Sequence, residues 1–393
     1  MAVESGLDRV AGGDPSALQL LRGRKLGLLA HPASVDRELR HARAVLQEAE
    51  CELSALFGPE HGYGGEAQDM IAVGSVAPPA AQAGPPVYSL YGDCEEDLWP
   101  RAEWLQGLDA VVIDLQDVGS RYYTFVWTAV CMLERAAAAG VQVVVLDRPN
   151  PLGGSRVEGA PQRPGYRSFV GLRDVAVRHG MTLGEVCRMA AAQDGLDEEA
   201  LAVVPVRGWR RERTQPDTGL PWVLPSPNMP TYETARVYPG GCLLEGTNLS
   251  EGRGCTRPFE IWGAPYLDGA ALAREVEIPG ATLRPLSFSP TFHKHAGERC
   301  GGVQVHVTDE ATFEPYAAYL KLIAGARRVA GEAMAWRAEP YEFVSDRPAI
   351  DLLTGGPEYR ELVDAGGDLD QYLARDREAA AQWAEARAEH LLY

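Results

Sequence analysis

Two aliphatic runs, Ala110 to Ile113 within Asp109-Ala-Val-Val-Ile-Asp114 and Val143 to Leu146 within Val141-Gln-Val-Val-Val-Leu146, bracket a segment of helical period at 122–139 that Gly140 closes. A strand with no polar alternation needs cover on both faces, so each run reads as an interior strand of a parallel sheet, with the helix as crossover. The same order stands upstream. A short strand at 26–30 precedes a helix expected over 35–50, with Leu39, Ala42, Val45 and Leu46 on one face, and a further strand follows at 53–57. This pattern predicts an α/β, Rossmann-like, doubly wound parallel sheet. The first strand runs into Leu28-Leu-Ala-His-Pro-Ala-Ser34 rather than a Gly-x-Gly-x-x-Gly turn, and no Walker-type loop occurs. No nucleotide or other cofactor is therefore expected.

A chain of 393 residues exceeds the roughly 250–300 that one core usually serves. Segments 153–180 and 207–263 are rich in Gly, Pro, Asn, Ser and Arg and carry embedded aromatics, which marks them as ordered, site-forming loops. Beyond residue 264 strand-like stretches (282–288, 302–307) precede helices expected at 311–335 and 368–392. The reading is a catalytic domain over 1–262 and a smaller auxiliary α+β domain over 263–393.

The formal charge of −18 argues against nucleic acid or an anionic membrane as partner, since both need a basic face. No apolar run approaches the ~18 residues of a membrane span. The seven cysteines are dispersed and form no Cys-x-x-Cys, a reduced-compartment pattern. A cytoplasmic location is expected for the chain as it stands, and a secreted or periplasmic one if a leader was removed.

The carboxyl ends of the inferred strands carry His31, Glu60-His61, Asp114-Leu-Gln-Asp117 and Asp147-Arg148-Pro-Asn150. Ligands of open parallel sheets bind outside that edge. Glu60 is the first candidate for proton transfer, because Gly58, Pro59 and Gly62 hold it in a tight turn. Asp117 is the natural second carboxylate, with Arg121 one helical turn on to orient it. That pair equally suits a plain i,i+4 salt bridge, and Asp114 a helix cap. Further along, Ser226-Pro-Asn228-Met-Pro-Thr231 and the stretch from Tyr238 through Glu245, Asn248, Glu251 and Arg253 offer the hydroxyls, amides and charges that sugar recognition uses. No metal site is expected. His61, Asp114, Asp117 and His179 could supply ligands but lack metal-site spacing, and His293-Lys-His295 reads as surface. The absence of Gly-x-Ser-x-Gly removes a serine-hydrolase reading.

With these blocks in view the chain resembles the NamZ-type exo-β-N-acetylmuramidases, glycoside hydrolases of peptidoglycan recycling. The matching blocks span nearly the whole chain: Leu56-Phe-Gly-Pro-Glu-His-Gly62, Val87-Tyr-Ser-Leu-Tyr-Gly92, Asp114-Leu-Gln-Asp-Val-Gly-Ser-Arg-Tyr-Tyr-Thr124, Leu146-Asp-Arg-Pro-Asn-Pro151, Thr218-Gly-Leu-Pro-Trp222, Ser226 to Thr231, Glu245-Gly-Thr-Asn248 and Ser250-Glu-Gly-Arg-Gly254. The resemblance implies a cleft between the two domains and release of N-acetylmuramic acid from the non-reducing end of peptidoglycan-derived fragments. The substrate would be a small soluble muropeptide or a MurNAc-GlcNAc saccharide. Glu60 would protonate the leaving oxygen, with Asp117 or the substrate's acetamido oxygen supporting the oxocarbenium-like centre. The expected binding set is His31, His61, Arg121, Tyr123, Arg148, Asn150, Asn228, Glu245, Asn248, Glu251 and Arg253. Among these, Arg121, Arg148 and Arg253 are the cations available to the lactyl carboxylate. The chain departs from the family pattern at His31, where asparagine is expected, at Tyr122 for phenylalanine and at Cys255 for threonine. Two other readings stand beside this one, a non-catalytic two-lobed sugar binder and a metal-dependent hydrolase. An inert Glu60→Gln variant that still binds sugar, or activity lost to a chelator, would tell them apart.

Overall fold

Aliphatic residues with almost no solvent exposure make the centre of a six-stranded sheet. The computed structural model describes residues 2–68, 70–75 and 84–393. Its first sheet holds β1 (Lys25–Ala30), β2 (Glu52–Gly58), β3 (Val87–Ser89), β4 (Ala110–Asp114), β5 (Gln142–Leu146) and β6 (Leu201–Val204). All neighbouring pairs are parallel, in the order β3-β2-β1-β4-β5-β6. The chain winds outward from β1 in one direction, then returns beside it to wind in the other. The crevice at the carboxyl ends of β1 and β4 is therefore the switch point of a doubly wound fold. Every residue of β4 is buried, as the continuous apolar run requires.

The crossover helix between β4 and β5 spans Phe125–Ala138 and is buried along most of its length. It begins three residues later than the periodicity predicts. Residues 120–124 form a turn instead, in which the Tyr123 N–H bonds the Ser120 carbonyl and the Trp127 indole N–H reaches the Arg121 carbonyl. The helix expected over 35–50 is likewise shorter, Ala42–Glu48. The Asp36 carboxylate takes the N–H groups of Glu38 and Arg40 and folds the preceding residues into a turn. That turn leaves Leu39 in the left-handed region (φ 63°) and exposed.

The second lobe carries an antiparallel sheet of β7 (Ile261–Ala264), β8 (Ala281–Phe288) and β9 (Cys300–Val307), in the order β7-β9-β8. β7 takes up Ile261 and Trp262, which lie on the amino-terminal side of the expected boundary. The helices are Pro315–Ala330 and Leu369–Ala386. The last one returns to the first lobe. Asp376 accepts from the Ala160 N–H, Trp383 donates to the Asp174 carbonyl, and Arg387 donates to the His179 and Gly154 carbonyls. The terminal Tyr393 hydroxyl completes the contact by donating to Asp147. The two sheets thus share one continuous apolar core, and the pocket between them has walls fixed from both sides.

Candidate active site

The turn after β2 doubles back on itself. A Cβ at Gly58 would lie 2.3 Å from the Tyr63 nitrogen, so only glycine fits there. The Gly62 N–H closes the turn on the Pro59 carbonyl at 2.9 Å. Between them His61 is held at φ 70°, a conformation that costs a non-glycine residue about 1 kcal/mol or more and that clusters at functional sites. Its Nδ1 lies 2.8 Å from the Ala67 carbonyl. The Glu60 carboxylate, only 5% exposed, receives the Thr124 hydroxyl at 2.6 Å and the Met70 N–H at 3.3 Å. Thr124 stands at the N-cap of the Phe125–Ala138 helix but makes no side-chain cap bond. Its hydroxyl is committed to Glu60.

Glu60 and His61 open onto a pocket between the two lobes. Tyr123, Thr124 and Phe125 come from the start of the crossover helix after β4, and the 207–263 segment supplies Ser226, Asn228, Tyr238, Glu245, Arg253 and Phe259. Tyr341 and Glu342 close the remaining side. The aromatic rings brace one another edge to face, Tyr123 on Phe125 at 4.8 Å, Tyr123 on Tyr238 at 5.7 Å and Tyr238 on Phe259 at 4.9 Å. Burial pushes the Tyr123 hydroxyl well above its ordinary range, so it stays protonated as a donor beside Ser226.

A line of charges backs the far wall. Glu245 accepts from the Tyr341 hydroxyl at 2.7 Å and from Arg253 Nη2 at 2.6 Å. Arg253 Nε lies 3.1 Å from Glu251, which in turn meets His293 Nδ1 at 2.8 Å and Lys294 Nζ at 3.1 Å. Burial works to raise the Glu251 carboxyl, but Lys294, His293 and Arg253 together outweigh it and hold it below the usual carboxylate range. Glu342 receives the Tyr91 hydroxyl at 3.2 Å and sits at φ 45°, with Phe343 at 66°. His61, Phe259 and Glu342 are thus three pocket residues in the strained region.

Of the residues expected from sequence, the structure gathers Glu60, His61, Tyr123, Asn228, Glu245 and Arg253 around the pocket. Asn228 is oriented by its amide bond to Gln68 at 2.8 Å. Glu251 lies one layer behind Arg253. The others do not line it. Asp117 is held by one oxygen: its Oδ2 accepts the Gly119 N–H at 2.7 Å and lies 3.4 Å from His179 Nε2, while its buried Oδ1 has no hydrogen-bond partner among the described residues. Arg121 does not orient it, because the guanidinium is fully buried and spent on the carbonyls of Ala160, Val175 and Leu353. Arg148 forks onto Asp114, with Nη2 at 2.8 Å from Oδ2. Asn150 ties the Met181 carbonyl to the Leu152 N–H, and Asn248 bonds backbone groups of Ala333 and Ala335.

His31 is a satisfied interior histidine. Its Nε2 accepts the Gln116 N–H at 2.9 Å, so Nδ1 carries the proton towards the Pro225 carbonyl at 3.1 Å. Burial, with the Arg148 charge, pushes its pKa down to about 3. It reaches the site only through its ring contact with Phe125 at 4.9 Å. His293-Lys-His295 lies at the surface as expected, with His293 exposed and Lys294 and His295 half-buried, and it is also anchored. His293 and Lys294 hold Glu251, and His295 Nε2 meets the Asn248 carbonyl at 2.8 Å. The sequence reading omitted Thr124, Tyr341 and Glu342. Thr124 ends a quoted block and could have been found as a cap beside the strand edge. Pro340-Tyr-Glu-Phe343 has no local pattern that marks it, because its role depends on long-range packing.

The sequence matches a family model described as exo-beta-N-acetylmuramidase NamZ, N-terminal, over residues 26–233, and one described as exo-beta-N-acetylmuramidase NamZ, C-terminal, over 236–393. The peptidoglycan beta-N-acetylmuramidase NamZ of Bacillus subtilis (strain 168) is 39% identical over 395 residues, covering 100% of this chain and 91% of that protein. A crystal structure of a DUF1343 family protein from Bacteroides fragilis NCTC 9343 superposes with a TM-score of 0.85 at 29% identity, over 100% of this chain and 99% of the other. A second DUF1343 protein from the same strain shares the fold, with a TM-score of 0.76 at 24% identity and the same coverage. The chain belongs to the NamZ family of exo-β-N-acetylmuramidases.

Proposed function

We propose that this protein is a glycosidase that removes N-acetylmuramic acid from the non-reducing end of peptidoglycan-derived fragments. The observation that carries the proposal is the placement of Glu60, buried in the wall of a polar, aromatic-lined pocket and steadied by two donors. As the C1–O bond lengthens, protonated Glu60 gives its proton to the departing oxygen, and positive charge develops at C1 and the ring oxygen. Glu245 and Glu342 border the same pocket and favour that charge. Asp117 lies outside the pocket lining, and we assign the direct support of C1 to the substrate's own acetamido oxygen. Water then completes hydrolysis at C1, and Glu60 is reprotonated for the next turnover.

Exo-action follows from a pocket walled by both lobes rather than a groove open at both ends. On a defined ladder of oligosaccharides with muramyl non-reducing ends, free N-acetylmuramic acid is expected from the first time point, with each chain shortened by one unit. Mid-length fragments before the monosaccharide would contradict the exo assignment.

A further inference from the structure

The muramyl unit differs from its glucosamine counterpart by a lactyl carboxylate, so an enzyme that selects it needs a cation with open donors near the reacting bond. Arg121 and Arg148 are excluded by their buried partners, and Arg253 is balanced between Glu245 and Glu251. Arg337 is different. Its Nη2 donates to the Pro340 carbonyl at 3.1 Å and lies 3.6 Å from the Met70 sulfur, while the guanidinium rests on the Tyr341 ring at 5.2 Å. Its Nε and Nη1 take no partner, and it forms no ion pair, among the described residues.

Arg337 does not line the pocket itself, but the two side chains that it touches both bond to pocket acids. Met70 gives its N–H to Glu60, and Tyr341 gives its hydroxyl to Glu245. Arg337 lines a separate open cleft, together with Trp336, Lys294 and Glu339. Lys294, the other cation there, is occupied by Glu251 and by the Leu244 and Leu249 carbonyls. Stacking on an aromatic ring fixes a guanidinium in plane and leaves its edge free for a carboxylate.

We infer that Arg337 binds the carboxylate of the terminal sugar and is a specificity-determining residue of the muramidase reaction, an assignment that rests on the function proposed above. The carboxylate meets the open edge of the guanidinium while the glycosidic oxygen sits at Glu60. A charge-assisted contact of this kind sets a preference of about 10- to 100-fold between a ligand that has the carboxylate and one that lacks it.

The test uses a chromogenic β-N-acetylmuramide, as free acid and as methyl ester, with the wild type, Arg337→Gln and Arg337→Lys. The wild type is expected to favour the acid by about 10- to 100-fold in kcat/KM. Arg337→Gln should lower kcat/KM for the acid to the level of the ester, mostly through KM, and leave the ester unchanged. Arg337→Lys should keep part of the preference. An equal acid-to-ester ratio in the wild type and Arg337→Gln overturns the assignment, and so does a parallel loss on both substrates, the mark of a structural role. Failure of the wild type to turn over either muramide overturns the muramidase reading itself, and this assignment with it.

Discussion

Arg253 shows how one guanidinium organises a buried wall. It is the shared partner of Glu245 and Glu251, and its charge also lies 5.3 Å over the Phe259 ring. Deleting one member of a buried ion network leaves the rest uncompensated, at about 3–5 kcal/mol. Arg253→Ala is therefore expected to unfold at clearly lower denaturant or temperature than the wild type, and a melt within about 0.5 kcal/mol would show that the wall does not depend on it. Single residues were unevenly legible in the sequence. Glu60 could be singled out because its turn is built from Gly58, Pro59 and Gly62, all within a few positions. Arg121 and His31 lie off the pocket lining, and nothing nearby in sequence shows it, because their partners are far along the chain. The Leu353 carbonyl is 232 residues from Arg121, and the Pro225 carbonyl is 194 from His31. Local pattern cannot tell a polar side chain that serves a ligand from one that serves a distant backbone carbonyl.

At the scale of elements, the helix Leu369–Ala386 carries a buried acid where it meets the first lobe. Burial raises the Asp376 carboxyl to about 6, against the bond from the Ala160 N–H that favours its charged form. Because the folded-state pKa lies above the unfolded one, this group's contribution to stability is fully present below about pH 4 and is lost as pH rises through about 6. Asp376→Asn keeps an acceptor for the Ala160 N–H and has no charge to bury. It should exceed the wild type in stability by about 1–3 kcal/mol at pH 7, with the gap closing by pH 4, in denaturant melts at the two pH values. A pH-independent gap would contradict the burial argument. Elements declared themselves in the sequence where packing and period agree, as in β1, β2, β4, β5 and the Phe125–Ala138 helix. The helix expected from residue 35 was overrun by turn chemistry at Asp36. The strand Val87–Ser89 is three residues long, too short for any alternation to show.

The whole molecule is one doubly wound sheet with a second lobe locked onto its carboxyl edge. Its switch point, between β1 and β4, lies beside the end of β2, where Glu60 meets Thr124 from the start of the helix that follows β4. The sheet was readable from the apolar runs, but the closure of the pocket was not. Closure needs Tyr341 and Glu342, which come from a stretch between helices that lies more than 200 residues from Glu60. The account rests above all on Glu60 as the group that protonates the departing oxygen. It is tested most directly by the kcat of Glu60→Gln on a β-linked muramyl disaccharide and on an activated aryl muramide, with folding checked by melting. Gln keeps the shape and the acceptor for Thr124 but has no transferable proton. The predicted result is a kcat lower by about 10²–10⁴ on the disaccharide, a smaller loss on the aryl substrate, whose leaving group needs little protonation, and an unchanged melt. A wild-type kcat on the disaccharide would contradict the account.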